Sequence, residues 1–327
     1  MKRIVKSLLV LIIFTLIFVY TYAYVEPRAD INSREEFNPE TKIYYKDAVI
    51  VLTYHVLDPK ILGPISLSPK LFEDQMEYLR YMGFHFITPY LLEKFMEGKE
   101  DVPPNAILIT FDDGYESFYK FAFPILKRYK IPAINFVIVS MIGKKGAFPH
   151  LTWDEMKIME KSGLIYFGSH SYDSHYLIRT GIFSKAPALV GRKFELFGYK
   201  ESEAEYESRI SFDLWYSKTL LERNLNITVD DFCFPYGAYN SKVLEIAKKV
   251  GYKVFYTTEK GINKATKSAY ILIKRIIKRI NAGNYKMTVK RLGNILSIYF
   301  SKNKSTVSIR PKRIINKSFF LSYHHQL

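Results

Sequence analysis

The chain has a single cysteine, Cys233, among 327 residues, which excludes an intrachain disulfide and any zinc site built from several thiolates. Acidic residues are missing from its last stretch: residues 260–327 carry 16 Lys and Arg and no Asp or Glu, whereas residues 1–259 carry 32 of each sign. The whole net charge of +16 therefore lies in that stretch. Prolines are few, at 14, and spread thinly, so collagen-like and disordered classes are excluded. With hydrophobic residues at 48%, the chain can bury one large core, as a barrel-sized domain or as two smaller ones. Neither an internal repeat nor a low-complexity segment occurs.

One uncharged run, Ser7 to Val25, is long enough to cross a bilayer, and Lys2, Arg3 and Lys6 precede it. The basic flank stays inside by the positive-inside rule, so the rest is expected to be exported, as a membrane-anchored or a cleaved product. Residues 1–25 read as a signal anchor or signal peptide, and the mediocre small-x-small site at Thr21 and Ala23 favours the uncleaved anchor. A polar spacer (26–46), a folded domain (47–284) and a basic C-terminal tail (285–327) follow. Such a tail suits anionic lipid headgroups or an anionic cell-wall polymer, while export argues against nucleic acid. A solvated tail without a partner is the alternative, and His324 and His325 belong to it.

In the body, short β-branched runs alternate with helix signals. AVIVLTYH (48–55) is of strand length; Ser68 as N-cap, Pro69 at the first helical position and Gly83 as the stop frame a helix after it. The alternation continues through FHFIT, a helix near Leu91 to Met96, a strand Ala106 to Phe111, a helix around Tyr119 to Tyr129 and a strand Ala133 to Val139. Thr152 and Glu155 form a capping box before a helix ending at Gly163, and LIYFGSH follows as a strand. Ser202 and Glu205 repeat the box before a long helix to about Asn224; DFCFPYG, a helix Ser241 to Val250 stopped by Gly251, and KVFYTT complete the series. Seven or so strand-helix units predict a parallel α/β sheet closed as a barrel. Residues 176–200 are too long for an ordinary connection and are expected to cover or border its mouth.

Functional side chains of parallel α/β folds gather where strands end. In ILITFDDGYESF (107–118) an apolar strand runs into two adjacent carboxylates, Asp112 and Asp113, which repel each other unless something compensates their charge. His55 ends the first strand, His170 another with His175 in the loop beyond, and Pro235 and Tyr236 a later one. One carboxylate and two imidazoles are a common ligand set for Zn2+ and similar ions, with positions left open for water and a substrate oxygen. The cation would relieve the repulsion by taking one Asp, leaving the other as a base beside an activated water.

TFDDGY at 110–115, HSYDSH at 170–175 and FPYG at 234–237, in this order, resemble the polysaccharide deacetylases of carbohydrate esterase family 4, the NodB-homology domain, over roughly residues 47–280. The resemblance implies a distorted (β/α)7 barrel, with Asp112 as general base and Asp113, His170 and His175 as ligands of a divalent metal ion, Zn2+ first and Co2+ or Ni2+ as alternatives. It also implies that Pro235 and Tyr236 contact the substrate, the Tyr236 backbone amide donating to the developing oxyanion. Two departures stand out: the histidines are five apart where the family usually has four, and Cys233 occupies the place of the Arg in Arg-x-Pro-Tyr. Both, together with LTYH at 52–55, look like the exported poly-β-1,6-N-acetylglucosamine deacetylases of biofilm matrix. In that subgroup the early His serves where the classical enzymes use a late one, and with no His here between 175 and 324 the resemblance implies His55 as the candidate acid or transition-state stabiliser. The expected activity is removal of acetyl groups from an N-acetylglucosamine polymer with release of acetate.

Plainer readings stay open at this point. Asp112 and Asp113 could cap a following helix, His170 and His175 could be loop residues, and His55 could be a satisfied core residue. Pro235 and Tyr236 could serve only turn and packing. Peptidoglycan or chitooligosaccharide is the alternative substrate, and an inactive cell-surface carbohydrate-binding protein the alternative class.

Overall fold

The computed structural model describes residues 42–60, 63–196, 198–265 and 275–300. The expected anchor at 1–25, most of the spacer and the end of the basic tail lie outside these residues. Among the described residues no helix is long and apolar enough to cross a membrane.

Thirteen strands and seven α-helices are described: β1 Val49–Tyr54, β2 Val56–Leu57, β3 Ser66–Leu67, α1 Pro69–Tyr81, β4 His85–Phe86, α2 Pro89–Met96, β5 Ala106–Phe111, α3 Phe123–Tyr129, β6 Ala133–Val137, α4 Trp153–Glu160, β7 Ile165–Ser169, β8 Leu177–Arg179, β9 Lys185–Pro187, α5 Glu203–Leu225, β10 Asp231–Cys233, α6 Ser241–Val250, β11 Val254–Tyr256, β12 Ile276–Ile277, β13 Ile280–Asn281 and α7 Val289–Ser297. Nine strands form one sheet with the path β12-β11-β10-β7-β6-β5-β1-β13, and β4 pairs with β5 beside it. All its pairings are parallel. The two ends of the path are consecutive in the chain: Ile277 pairs with Tyr256 and Ile280 with Leu52, so the segment through Lys278 and Arg279 links both edges. The result is a curled, barrel-like sheet, as the strand-helix alternation predicts.

Strand alternation sorts the core into two layers. Val49, Val51, Ala106, Leu108, Ile134, Phe136, Cys233, Val254 and Tyr256 face inward, while Ile50, Leu52, Tyr54, Ile107, Ile109 and Phe111 meet the helices. The helices begin where their side chains say they should. Ser68 accepts from the Leu71 N–H with Pro69 next to it, and Phe72, Met76 and Leu79 line the buried face of α1. Both expected capping boxes form, at Thr152 with Glu155 and at Ser202 with Glu205. Gly251, at φ 105°, ends α6. The helix expected from Tyr119 instead opens as a π-helical turn, Phe118–Ala122. Pro124 has no N–H to give the α ladder, and the Phe123 N–H reaches back five residues to the Phe118 carbonyl.

The basic C-terminal stretch is partly built into this body. Thr288 caps α7, whose Leu292 and Leu296 are fully buried. Arg275 pairs with Glu93 and Glu97, and Arg279 lies inside the barrel. Tyr44 and Tyr45, just ahead of β1, are likewise buried.

Candidate active site

Asp112 follows the inward-facing Leu108 and Thr110, and parity carries its carboxylate into the barrel mouth. There Arg279, which is 2% exposed, grips it in a fork, Nη1 at 2.7 Å from Oδ1 and Nη2 at 2.8 Å from Oδ2. The remaining donors of the guanidinium are engaged too: Nε bonds the Thr257 carbonyl at 2.8 Å, and Nη1 also approaches the hydroxyls of Thr53 and Thr110 at 3.2 and 3.3 Å. Burial opposes the charge on Asp112, but the Arg279 charge and hydrogen bonds outweigh it and hold the carboxyl below the usual carboxylate range.

By strand parity Asp113 would point away from the mouth. It does not, because the chain turns left-handed there, with φ 73° at Asp113 and 76° at Gly114. The turn brings Asp113 Oδ1 to 3.4 Å from His170 Nε2 and 3.3 Å from His175 Nε2. A Cβ on Gly114 would sit 2.8 Å from Val137 Cγ1 and 3.2 Å from its Cα, at a φ that L residues rarely adopt. Gly114→Ala is accordingly expected to lower stability by about 1–3 kcal/mol and to displace Asp113. Denaturant unfolding checks this, and an unchanged midpoint would refute it.

His170 is fixed by its other nitrogen: Nδ1 lies 2.7 Å from the Cys233 carbonyl, which turns Nε2 toward Asp113. Burial opposes a charge on this imidazole, but Cys233 and the hydrogen bond with Asp113 outweigh it and hold its pKa well above the usual value, so a metal ion would take the place of the Nε2 proton. His175 stacks on Tyr236 with centroids 4.6 Å apart, and the Tyr236 hydroxyl reaches the His175 carbonyl at 3.3 Å. Burial, and then the neighbouring His170, push the His175 pKa down, so the imidazole is neutral and free to ligate at neutral pH.

These residues fit a divalent metal ion. Asp113 Oδ1 is buried without a hydrogen-bond partner, and the ligand atoms of Asp113, His170 and His175 lie within 4.8 Å of one another. An ion with bonds of about 2.0–2.1 Å in tetrahedral geometry spaces its donors about 3.3 Å apart. A rival set, Asp112, His170 and Cys233, is equally close. It is the poorer site: both oxygens of Asp112 are tied to Arg279, whose Nη2 also sits 3.1 Å from the Cys233 sulfur. Burial pushes the Cys233 thiol up, which keeps it protonated, and the guanidinium would repel a cation.

The structure thus brings Asp112, Asp113, His170, His175 and Tyr236 to one mouth, and Pro235, next to Tyr236 in the chain, is buried. His55 joins them, its Nε2 3.9 Å from Asp112 Oδ2 and its Nδ1 buried without a partner. The insertion leaves directly from His175 as the antiparallel hairpin β8–β9, and Arg209 on α5 ties it down through Glu201 and the carbonyls of Ala188 and Gly191. Sequence reasoning missed Arg279. Its signal was slight: one cation among Lys274, Arg275 and Lys278, distinguished only by the apolar pairs around it.

The polysaccharide deacetylase family model matches residues 99–255. The poly-β-1,6-N-acetyl-D-glucosamine N-deacetylase of Staphylococcus aureus strain MRSA252 is 30% identical over 254 residues, 72% of this chain and 81% of that protein. The protein of the same name from Escherichia coli K12 is also 30% identical, over 218 residues that make 62% of this chain but only 32% of the E. coli protein's length. Among solved structures, IcaB from Ammonifex degensii superposes with a TM-score of 0.64 at 28% identity, covering 77% of this chain and 97% of that one. The similarity spans the strands that end on Asp112, Asp113 and His170, and the chain belongs to the polysaccharide deacetylase family.

Proposed function

We propose that this chain is an exported, metal-dependent N-deacetylase of poly-β-1,6-N-acetylglucosamine, carried on a distorted (β/α)7 barrel in which β12 and β13 count as one stave. The observation that carries the reading is the pairing of an unpartnered Asp113 oxygen between two imidazoles with a neighbouring Asp112 held ionised by Arg279. The names of the S. aureus and E. coli relatives support the polymer. Zn2+ is the assigned ion, with Co2+ or Ni2+ as alternatives. Residues 1–25 are assigned as anchor or signal peptide, and the basic C-terminal end is assigned to a membrane surface or anionic wall polymer.

Asp113, His170 and His175 would hold a divalent ion, which when bound would supply Lewis acidity to the acetamide carbonyl and to the attacking water. Asp112 takes the proton of that water; its depressed pKa keeps it ionised throughout the neutral range. The Tyr236 backbone amide donates to the oxyanion that develops on the acetamide oxygen. His55, next to Asp112, gives a proton to the departing amine, the C–N bond breaks, and acetate and a glucosamine unit are left.

The test is acetate release from poly-β-1,6-N-acetylglucosamine by the full chain, before and after dialysis against chelator. Release that disappears with the metal and returns with added Zn2+ is expected. Release from chitooligosaccharide or peptidoglycan alone would transfer the substrate to that polymer, and no release from any of them by metal-loaded protein would overturn the reading.

A further inference from the structure

The loop that joins the two histidines has a support outside the mouth. Asp213, in the middle of α5 and 6% exposed, accepts from the Tyr172 N–H at 3.0 Å, the Asp173 N–H at 2.8 Å and the Ser174 hydroxyl at 2.9 Å. Among the described residues all its hydrogen bonds go to this loop. One helical turn further on, Ser217 bonds the Ser169 hydroxyl at 2.9 Å and the Tyr252 hydroxyl at 2.8 Å, and Ser169 accepts from the Ser171 N–H at 3.1 Å. Ser171 is left-handed, at φ 76°, and its hydroxyl accepts from the Ser174 N–H at 3.0 Å. Consecutive N–H groups following a left-handed residue form a concave anion site, and here a buried carboxylate of the protein fills it.

We propose that Asp213 is a positioning residue for metal binding, fixing the His170–His175 loop so that both imidazoles meet Asp113 already aligned. The inference rests on the deacetylase reading of the site. The five-residue spacing makes such a support necessary. His170 is held by β7 and by the Cys233 carbonyl, but His175 lies beyond four irregular residues, and its ring is placed by stacking on Tyr236 and by the path of that loop. A loop of this kind has no ladder to order it, so without an acceptor for its N–H groups it would sample other paths, and the ion would have to order it on binding. Asp213 removes that requirement in advance. A helix N-terminus could not do so, because it presents N–H donors where these three donors need an acceptor.

The experiment compares Zn2+ affinity, by competition with a chromophoric chelator, and the rise in melting temperature on adding Zn2+, for the full chain and its Asp213→Ala, Asp213→Asn and Ser202→Ala variants. Ser202→Ala removes the N-cap of the same helix without touching the loop, and reports what mere weakening of α5 does. For Asp213→Ala, Zn2+ affinity is expected to fall about 10–100-fold, and the Zn2+-dependent rise in melting temperature to shrink with it. Asp213→Asn keeps one acceptor oxygen and is expected to lose less. Ser202→Ala should melt earlier and bind Zn2+ as the parent does. Parent-like affinity in both Asp213 variants would overturn the proposal whatever their melting temperatures, and should the Ala variant not fold, the Asn variant decides. If the parent chain itself binds no Zn2+, the metal-site reading fails and this inference with it, an outcome that the first titration separates from failure of the Asp213 role alone.

Discussion

Arg279→Ala is expected to destabilise the chain by about 3–5 kcal/mol and to lower kcat/KM by about 100-fold or more. The stability loss comes from what the substitution leaves behind. Asp112 is almost fully buried and both its oxygens rest on the guanidinium, so removing Arg279 strands a carboxylate in a low-dielectric barrel. The sign of the pH dependence reverses with it. In the parent, Asp112 is held below the usual carboxylate range, so it stabilises the fold at pH above the unfolded value of about 4, and that contribution is lost as the pH falls through the folded value. In the variant, burial is opposed only by the neighbouring His170 and His55, and the folded value is expected to rise. Stability then declines as the pH rises from about 4 through that raised value, and the acid limb of kcat/KM moves to higher pH. Arg279→Lys should recover part of the stability and little of the activity, because an ammonium cannot make the two parallel bonds that aim Asp112. Urea unfolding across pH and a pH–rate profile check these expectations. An unmoved acid limb in the Ala variant would show that Arg279 packs without tuning the base.

How much of this was legible in the sequence differs from residue to residue, for physical reasons. The helices declare themselves because caps are local: Ser68 with Pro69, Thr152 with Glu155, Ser202 with Glu205 and Gly251 act within three or four residues of themselves. Asp112 and Asp113 are visible because a fully apolar strand ends on two like charges, which physics permits only with a compensating partner. That partner was half foreseen. A cation between Asp113 and the histidines follows from the donor types, but the guanidinium on Asp112 is 167 residues away in sequence. Only closure of the sheet through Ile276 to Asn281 places Arg279 inside, and a stretch rich in Lys and Arg reads as surface until that closure is known. The resemblance would put an Arg at Cys233, on β10; in this chain Arg279 comes from the closing segment, and its Nη2 lies 3.1 Å from the Cys233 sulfur. Asp213 was hidden differently. An acid in mid-helix resembles any solvated residue, and only the loop folding over it reveals three donors seeking an acceptor.

Asp112→Asn is expected to lower kcat by about 100- to 10,000-fold with KM nearly unchanged, since a base that acts only as the water attacks contributes to the transition state and little to ground-state binding. Metal content decides what the loss means. Asp112 stands outside the Asp113, His170 and His175 set, so the Asn variant should retain its ion at parent stoichiometry, whereas Asp113→Asn should lose both ion and activity. The Asn variant also places an amide N–H2 against one arm of the Arg279 fork, so it should melt earlier than the parent, and rates are to be compared well below its transition. If the Asn variant keeps parent-like kcat with its ion bound, the base lies elsewhere. His55, 3.9 Å from Asp112 with a buried unpartnered Nδ1, is then the first candidate, and His55→Gln would be expected to carry the loss instead. If the Asn variant loses its ion, the rival set of Asp112, His170 and Cys233 holds the metal, and the fork of Arg279 must open to admit it.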